Sequence, residues 1–319
     1  MAYERREFPE FSWSQSRRTI FQECPRKYYW QYYGAHNGWE SDAPAAAQLA
    51  YRLKQITNLH LFVGGLIHEL AARAILDARG GKAPSSADAL IKEGKRQLNQ
   101  AYVESQKKAQ WERSPKWYTM LHEFYYGTGP SSTLIDKIRD KLTTCVQNLL
   151  ASQSYREALQ APFVEVKSVD QPMTTFQLGG NVIYAQPDLL YRLGSGEFKI
   201  IDWKTGDEGE LHAAQLRIYG LYVRARPDMK EGQLTGVLEY LLTGERETVS
   251  ITDGDLREQE RDVLDSVNAM RKYLANPDTN QCLPKEGFPL SADLSRCRYC
   301  NFYELNREEI EKAESSGPF

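Results

Sequence analysis

The stretch that most limits what this chain can fold into runs from Gln186 to Gly206: Gln-Pro187-Asp188-Leu-Leu-Tyr-Arg-Leu-Gly194-Ser-Gly196-Glu-Phe198-Lys-Ile200-Ile-Asp202-Trp203-Lys204-Thr-Gly. It reads as two β-strands joined at Gly194-Ser195-Gly196, with Pro187 and Gly206 at the outer ends. Side chains alternate along a strand, so Phe198, Ile200, Asp202 and Lys204 share one face of the second strand. An aspartate and a lysine thus continue a line of core residues. Buried charges of this kind need a partner, usually a metal or each other. Antiparallel pairing through the turn predicts Asp188 beside Asp202. Two carboxylates and a lysine at the end of a hairpin suit a divalent-cation site with a fixed positive charge beside it. Taken alone, the same residues also fit a salt-bridged hairpin.

Two other segments present polar groups where apolar ones belong. Val63-Gly64-Gly65-Leu-Ile-His68-Glu-Leu-Ala71-Ala72-Arg-Ala-Ile75 reads as a helix starting near the glycines. His68 lies on its inner face with Ala71, Ala72 and Ile75. Glu210 to Ala225 reads as a sheet-covering helix with Leu211, Ala214, Gln215, Ile218, Tyr219 and Tyr222 on one stripe. Gln215 and Tyr219, one turn apart on that stripe, need partners that a site beside Lys204 provides.

The run Pro187-Asp188, Asp202-Trp203-Lys204 resembles the signature of the PD-(D/E)XK nuclease superfamily. The glycine–histidine pattern ending at His68 is similar to the first motif of its RecB-like branch, and Gln215-x-x-x-Tyr219 to the branch's QxxxY motif, in the expected order. The resemblance implies an α/β fold with a restriction-endonuclease-like mixed sheet flanked by helices and carrying a helical insertion. It implies a Mg²⁺- or Mn²⁺-dependent deoxyribonuclease working in DNA repair, recombination, CRISPR adaptation or phage defence. Asp188, Asp202, His68 and the Trp203 carbonyl would hold the metal. Lys204 would orient water or stabilise the phosphorane, with Gln215 and Tyr219 positioning it. A catalytically silent nucleic-acid-binding or scaffolding subunit of the same fold is the alternative. DNA is the implied partner, and protein partners stay open.

Hydrophobic content of 41% and charged content of 26% are those of an ordinary globular chain, and the net charge of −3 argues against a surface coated in basic residues for bulk nucleic-acid binding. A local basic groove remains compatible with it. The sequence lacks an apolar run of membrane-spanning length, and Met-Ala-Tyr-Glu-Arg-Arg has no apolar signal core; a cytoplasmic protein without a membrane partner is expected. The whole of 1–319 is expected to be one RecB-like nuclease domain. Within it, 82–160 reads as the helical insertion, with helices over Asp88–Ser105, Trp117–Tyr126 and Ser131–Gln153. Residues 161–275 form the core. Its strands include Val164, Val166 and Val169, then a hairpin turning at Gly179-Gly180-Asn181, then Gln233–Leu242 and Glu245–Ile251. A helix from Asp253 to Ala275 follows, aligning Leu256, Val263, Val267, Met270 and Leu274.

Five cysteines are present. Cys145 falls mid-helix with no ligand-spaced neighbour and reads as a buried thiol. Cys297-x-x-Cys300 puts two thiolates on one turn, a common start of a zinc or iron–sulfur site. Cys24-Pro-Arg-Lys-Tyr-Tyr, behind a helix capped by Ser14, resembles the N-terminal segment of RecB-like nucleases that carry a 4Fe-4S cluster, including AddB and the CRISPR-adaptation nucleases. That resemblance assigns Cys24, Cys297 and Cys300 to a cluster and expects 276–319 to pack on the N-terminal helix. Asn306 stands where the fourth cysteine belongs, and Cys282 is the remaining candidate ligand.

Overall fold

The computed structural model describes residues 5–167, 173–206 and 211–316. Ser14 accepts the Arg17 amide and starts α1 (Gln15–Glu23). Cys24, in extended conformation, ends α1 and caps α2 (Pro25–Tyr29), with Pro25 at the first helical position, where it has no hydrogen bond to lose. A π-turn at Trp30–Gly34 leads to α3 (Ala45–Leu53). Asn58 then caps α4 (Leu59–Arg79). This helix begins before the glycine pair. Gly64 lies inside it because a Cβ there would sit 3.1 Å from Thr205 Oγ1; the missing side chain lets α4 lie against the end of the strand bearing Asp202.

Next come α5 (Ala87–Ser105), α6 (Lys108–Arg113), α7 (His122–Tyr125), α8 (Ser132–Ala151) and α9 (Gln153–Gln160). Between Trp117 and Tyr126 only α7 is helical. Thr57 accepts from the His122 amide and donates its own to Met120, holding that segment against the chain entering α4. Ser152 ends α8 and caps α9, a helix the sequence pattern did not separate. Leu98, Leu142, Val146, Leu149 and Tyr155 from these helices share one core with Ile67, Leu70 and Ile75 of α4. α4 is long and apolar enough to cross a membrane by length and composition, and here it is the central helix of this layer.

The strands are β1 (Phe163–Val166), β2 (Thr175–Leu178), β3 (Asn181–Tyr184), β4 (Leu189–Arg192) and β5 (Phe198–Lys204). After α10 (Leu211–Ala225) come β6 (Leu234–Tyr240) and β7 (Glu245–Ile251). α11 (Asp253–Arg271), β8 (Leu274–Asn276), β9 (Gln281–Cys282) and α12 (Tyr303–Ser316) follow. The main sheet has the order β1-β4-β5-β6-β7; β5 and β6 run parallel and the other neighbours antiparallel. α10 makes the crossover that a parallel pair requires. β2 and β3 form a hairpin whose turn, Gly179-Gly180, has φ values of 55° and 75°, the left-handed region glycine enters freely. Val169 and Glu210, assigned above to a strand and a helix, lie outside the described residues. Leu274 leaves the α11 face: it starts β8 and pairs with Cys282, so the ladder captures a residue that helical spacing would have kept.

Two helical layers enclose the sheet. Ile201 and Trp203 face the α4 layer, while Phe198 and Ile200 face Leu216 of α10 and Val263 and Val267 of α11. This mixed α/β sandwich is the restriction-endonuclease-like arrangement expected from the sequence. The C-terminal segment packs on α2: Arg26 donates to the Phe288 carbonyl at 2.7 Å and ion-pairs with Glu309.

Candidate active site

β4 pairs with β5 so that Leu189 faces Ile201. The next rung brings Asp188 to Asp202, at the end of the sheet where α4 approaches from one face and α10 from the other. Both carboxylates are buried. The Trp203 amide donates to Asp188 Oδ2 at 2.9 Å, and His68 Nδ1 lies 2.9 Å from Asp188 Oδ1. Lys204 forms an ion pair with Asp202 Oδ2 and donates to Gln215 Oε1 at 2.9 Å. The Gln215 amide nitrogen donates in turn to the Tyr219 hydroxyl at 2.5 Å. All six side chains singled out in the sequence therefore meet, in two strings: His68–Asp188, and Asp202–Lys204–Gln215–Tyr219.

The electrostatics are asymmetric. Burial, and then the neighbouring Asp188 carboxylate, push Asp202 up to about 6. Burial acts on Asp188 in the same sense, but the His68 imidazolium beside it outweighs this and holds Asp188 below its ordinary value. For His68, burial opposes the charge and the Asp188 carboxylate more than restores it, so its pKa is raised. Burial and both carboxylates keep the Tyr219 phenol protonated. Asp202 is therefore the carboxylate whose ionisation the fold supports less.

Among the described residues no three His, Cys, Asp or Glu side chains form a ready-made metal cage. The donors still suit a hard divalent cation. Asp202 Oδ2 is buried with the Lys204 ammonium as its partner. Trp203 sends its N–H towards Asp188, and a strand residue points its carbonyl to the same side. The His68–Asp188 separation of 2.9 Å suits a hydrogen bond, and equally two adjacent ligands each about 2.1 Å from one cation. A cation here would share Asp202 with Lys204 and Asp188 with His68.

The cysteines divide differently. Cys24, Cys297 and Cys300 line one cavity of about 250 Å³ together with Lys27 and Arg296. Cys282 does not join them; it sits in β9 against the apolar core around Tyr28 and Phe288. Asn306 is buried and engaged: its carbonyl accepts from Trp30 Nε1 at 3.0 Å and from Arg26 at 3.3 Å, and its amide donates to Phe302 at 3.1 Å. Burial raises the Cys297 thiol and pushes Cys300 up to about 11, so both stay protonated. Three thiols and a committed asparagine do not fit a four-cysteine cluster, and Cys282 does not supply the missing ligand. Cys145 is buried in the α4 core.

Two contributors were not evident in the sequence. Glu239 of β6, buried, accepts from Trp203 Nε1 at 3.1 Å and from the Ser154 amide at 3.2 Å, fixing the indole behind the Asp-x-Lys strand. Lys167 follows β1, and its amide donates to the Asp188 carbonyl at 3.0 Å. Neither belongs to a local motif; a carboxylate inside the apolar run Leu234–Leu242 was the one available signal for Glu239.

A mixed α/β sheet that ends in paired carboxylates with a half-buried lysine alongside is a nuclease-type core. The family model of the PD-(D/E)XK nuclease superfamily matches residues 12–305, and the chain belongs to that superfamily. Among solved structures, the crystal structure of SSO0001 matches at 17% identity, covering 64% of this chain and 82% of that one, with a TM-score of 0.28. No curated protein matches the sequence.

Proposed function

We propose that this protein is a RecB-like, Mg²⁺- or Mn²⁺-dependent deoxyribonuclease. The observation that carries the proposal is the buried Asp188–Asp202 pair, with Lys204 ion-paired to Asp202 beside it. Asp188, Asp202, His68 and the Trp203 carbonyl would hold the cation. A divalent ion there supplies an acidified water and offsets charge on the scissile phosphate. Lys204 has three donors; two are directed at Asp202 and Gln215, and the third is left for water or a phosphate oxygen. Gln215 is oriented by Tyr219, so its carbonyl faces Lys204 and fixes the ammonium. Tyr219 stays a neutral phenol and does not compete for the cation.

The test is incubation of end-labelled and circular single- and double-stranded DNA with Mg²⁺ or Mn²⁺. Wild type should cleave, and Asp202→Ala and Lys204→Ala should each lose at least about 100-fold in rate, the scale of one pre-organised charge in a water-poor site. Both variants should keep the wild-type circular dichroism spectrum. Cleavage surviving in both would overturn the assignment.

A further inference from the structure

We propose that Lys167 grips a phosphate of the nucleic-acid strand on the open side of the carboxylate pair; this rests on the nuclease proposal and deepens it. Val166 pairs with Leu189, and the next rung pairs Lys167 with Asp188 through the Lys167 amide. Asp188 in turn stands opposite Asp202, and Asp202 opposite Leu238. One rung of the sheet therefore reads Lys167, Asp188, Asp202, Leu238. Directly opposed residues share a face, so the lysine lies on the side that holds both acids.

The two ends of this rung differ. Towards β6 it runs into Leu238, buried in the core below α10. Towards β1 the sheet ends, since β1 is an edge strand, and Lys167 is exposed. The second lysine of the site is not available in the same way: Lys204 is only 16% exposed and is committed to Asp202 and Gln215. No ion pair ties Lys167 to a described residue. Its charge is felt by both Asp188 and His68. Neighbouring strands lie about 4.8 Å apart, which places Lys167 about 10 Å from Asp202 along the rung. A phosphate held by Lys167 is then a neighbour of the one at the carboxylates. The strand is drawn across the β1 edge, with one phosphate over Asp188 and Asp202 and the next on the lysine.

The experiment measures binding of labelled single-stranded and duplex DNA to the full chain in EDTA, from 50 to 200 mM KCl, together with steady-state cleavage in Mn²⁺. Lys167→Ala should flatten the log–log salt dependence by about 0.9 on duplex or about 0.7 on single strands, the signature of one lost phosphate contact. KM should rise several-fold while kcat stays within about twofold, the mark of lost ground-state binding. Lys167→Arg should restore both and Lys167→Glu should be worse than alanine. An unchanged slope and KM in Lys167→Ala, with wild type cleaving normally, overturns this inference and leaves the nuclease proposal standing. A fall in Mn²⁺ affinity with KM and slope intact also overturns it, because the lysine then serves Asp188 rather than substrate. A wild type that neither binds nor cleaves DNA overturns both.

Discussion

Asp202→Asn should stabilise the metal-free protein at neutral pH. The carboxyl is moved from 3.8 to about 6 by burial and by Asp188. At about 1.4 kcal/mol per tenfold change in acidity, its ionisation in the fold costs about 3 kcal/mol. Because the folded value lies above the unfolded one, this group's contribution is fully favourable below pH 3.8, declines as pH rises, and is lost once pH passes about 6. Asparagine keeps the shape without the charge. The attraction to Lys204 is already contained in that shift, so about 3 kcal/mol is the order of the net gain. The assay is urea denaturation in EDTA at pH 4.5 and 7.5 for both proteins. The variant should be the more stable at 7.5, and the difference should shrink at 4.5. Added Mn²⁺ should raise the wild-type midpoint and leave the variant's nearly unmoved. A variant less stable than wild type at pH 7.5 without metal refutes the reasoning, since Asp202 would then be satisfied by its neighbours and would need no cation.

His68→Ala should weaken Mn²⁺ binding about 10–100-fold, as losing a ligand or its close support does, while leaving the chain folded; isothermal titration beside denaturation separates the two. The raised pKa of His68 makes its pair with Asp188 stabilising below about 6.5, with that contribution lost as pH climbs through the folded value, so a wild type whose metal-free stability rises across neutrality would contradict it. Asn306→Ala should cost about 2–3 kcal/mol by leaving the buried Trp30 and Arg26 donors without their acceptor, read as a drop in urea midpoint. In the same preparation, purified without oxygen, iron and zinc should be below stoichiometric; a full complement of either metal that vanishes in Cys297→Ser would show a cluster or zinc site despite Asn306.

The Asp-x-Lys strand was legible because its chemistry broke a local alternation: two charges on the face that Phe198 and Ile200 bury. Gln215 and Tyr219 were legible for the equivalent reason on a helix. Where the sequence pattern misled, the deciding contact was remote. Glycine is normally a helix breaker, yet Gly64 lies within α4 because Thr205, far along the chain, needs the space. Leu274 fits the α11 periodicity, but Cys282 draws it into a strand. Lys167 carried no signal, since its partner Asp188 is set by a pairing that skips the whole β2–β3 hairpin. Asn306 looked like a lost ligand and is a hydrogen-bond hub, a role written in Trp30 and Arg26 and not near residue 306.

That hub has a consequence for how the chain comes together. Arg26 and Asn306 are 280 positions apart. Closing a loop of that length costs about 5 kcal/mol of chain entropy on a logarithmic law. The contact therefore forms only after the sheet and its helical layers have already drawn the two regions close. On a growing polypeptide, β4, β5 and α10 can place the carboxylates and Lys204 while α2 still lacks its anchor, because α12 is synthesised after them. Seating α2 against α12 then follows formation of the rung that carries the chemistry, and damage to that seam should release the N-terminal helices before it disturbs that rung.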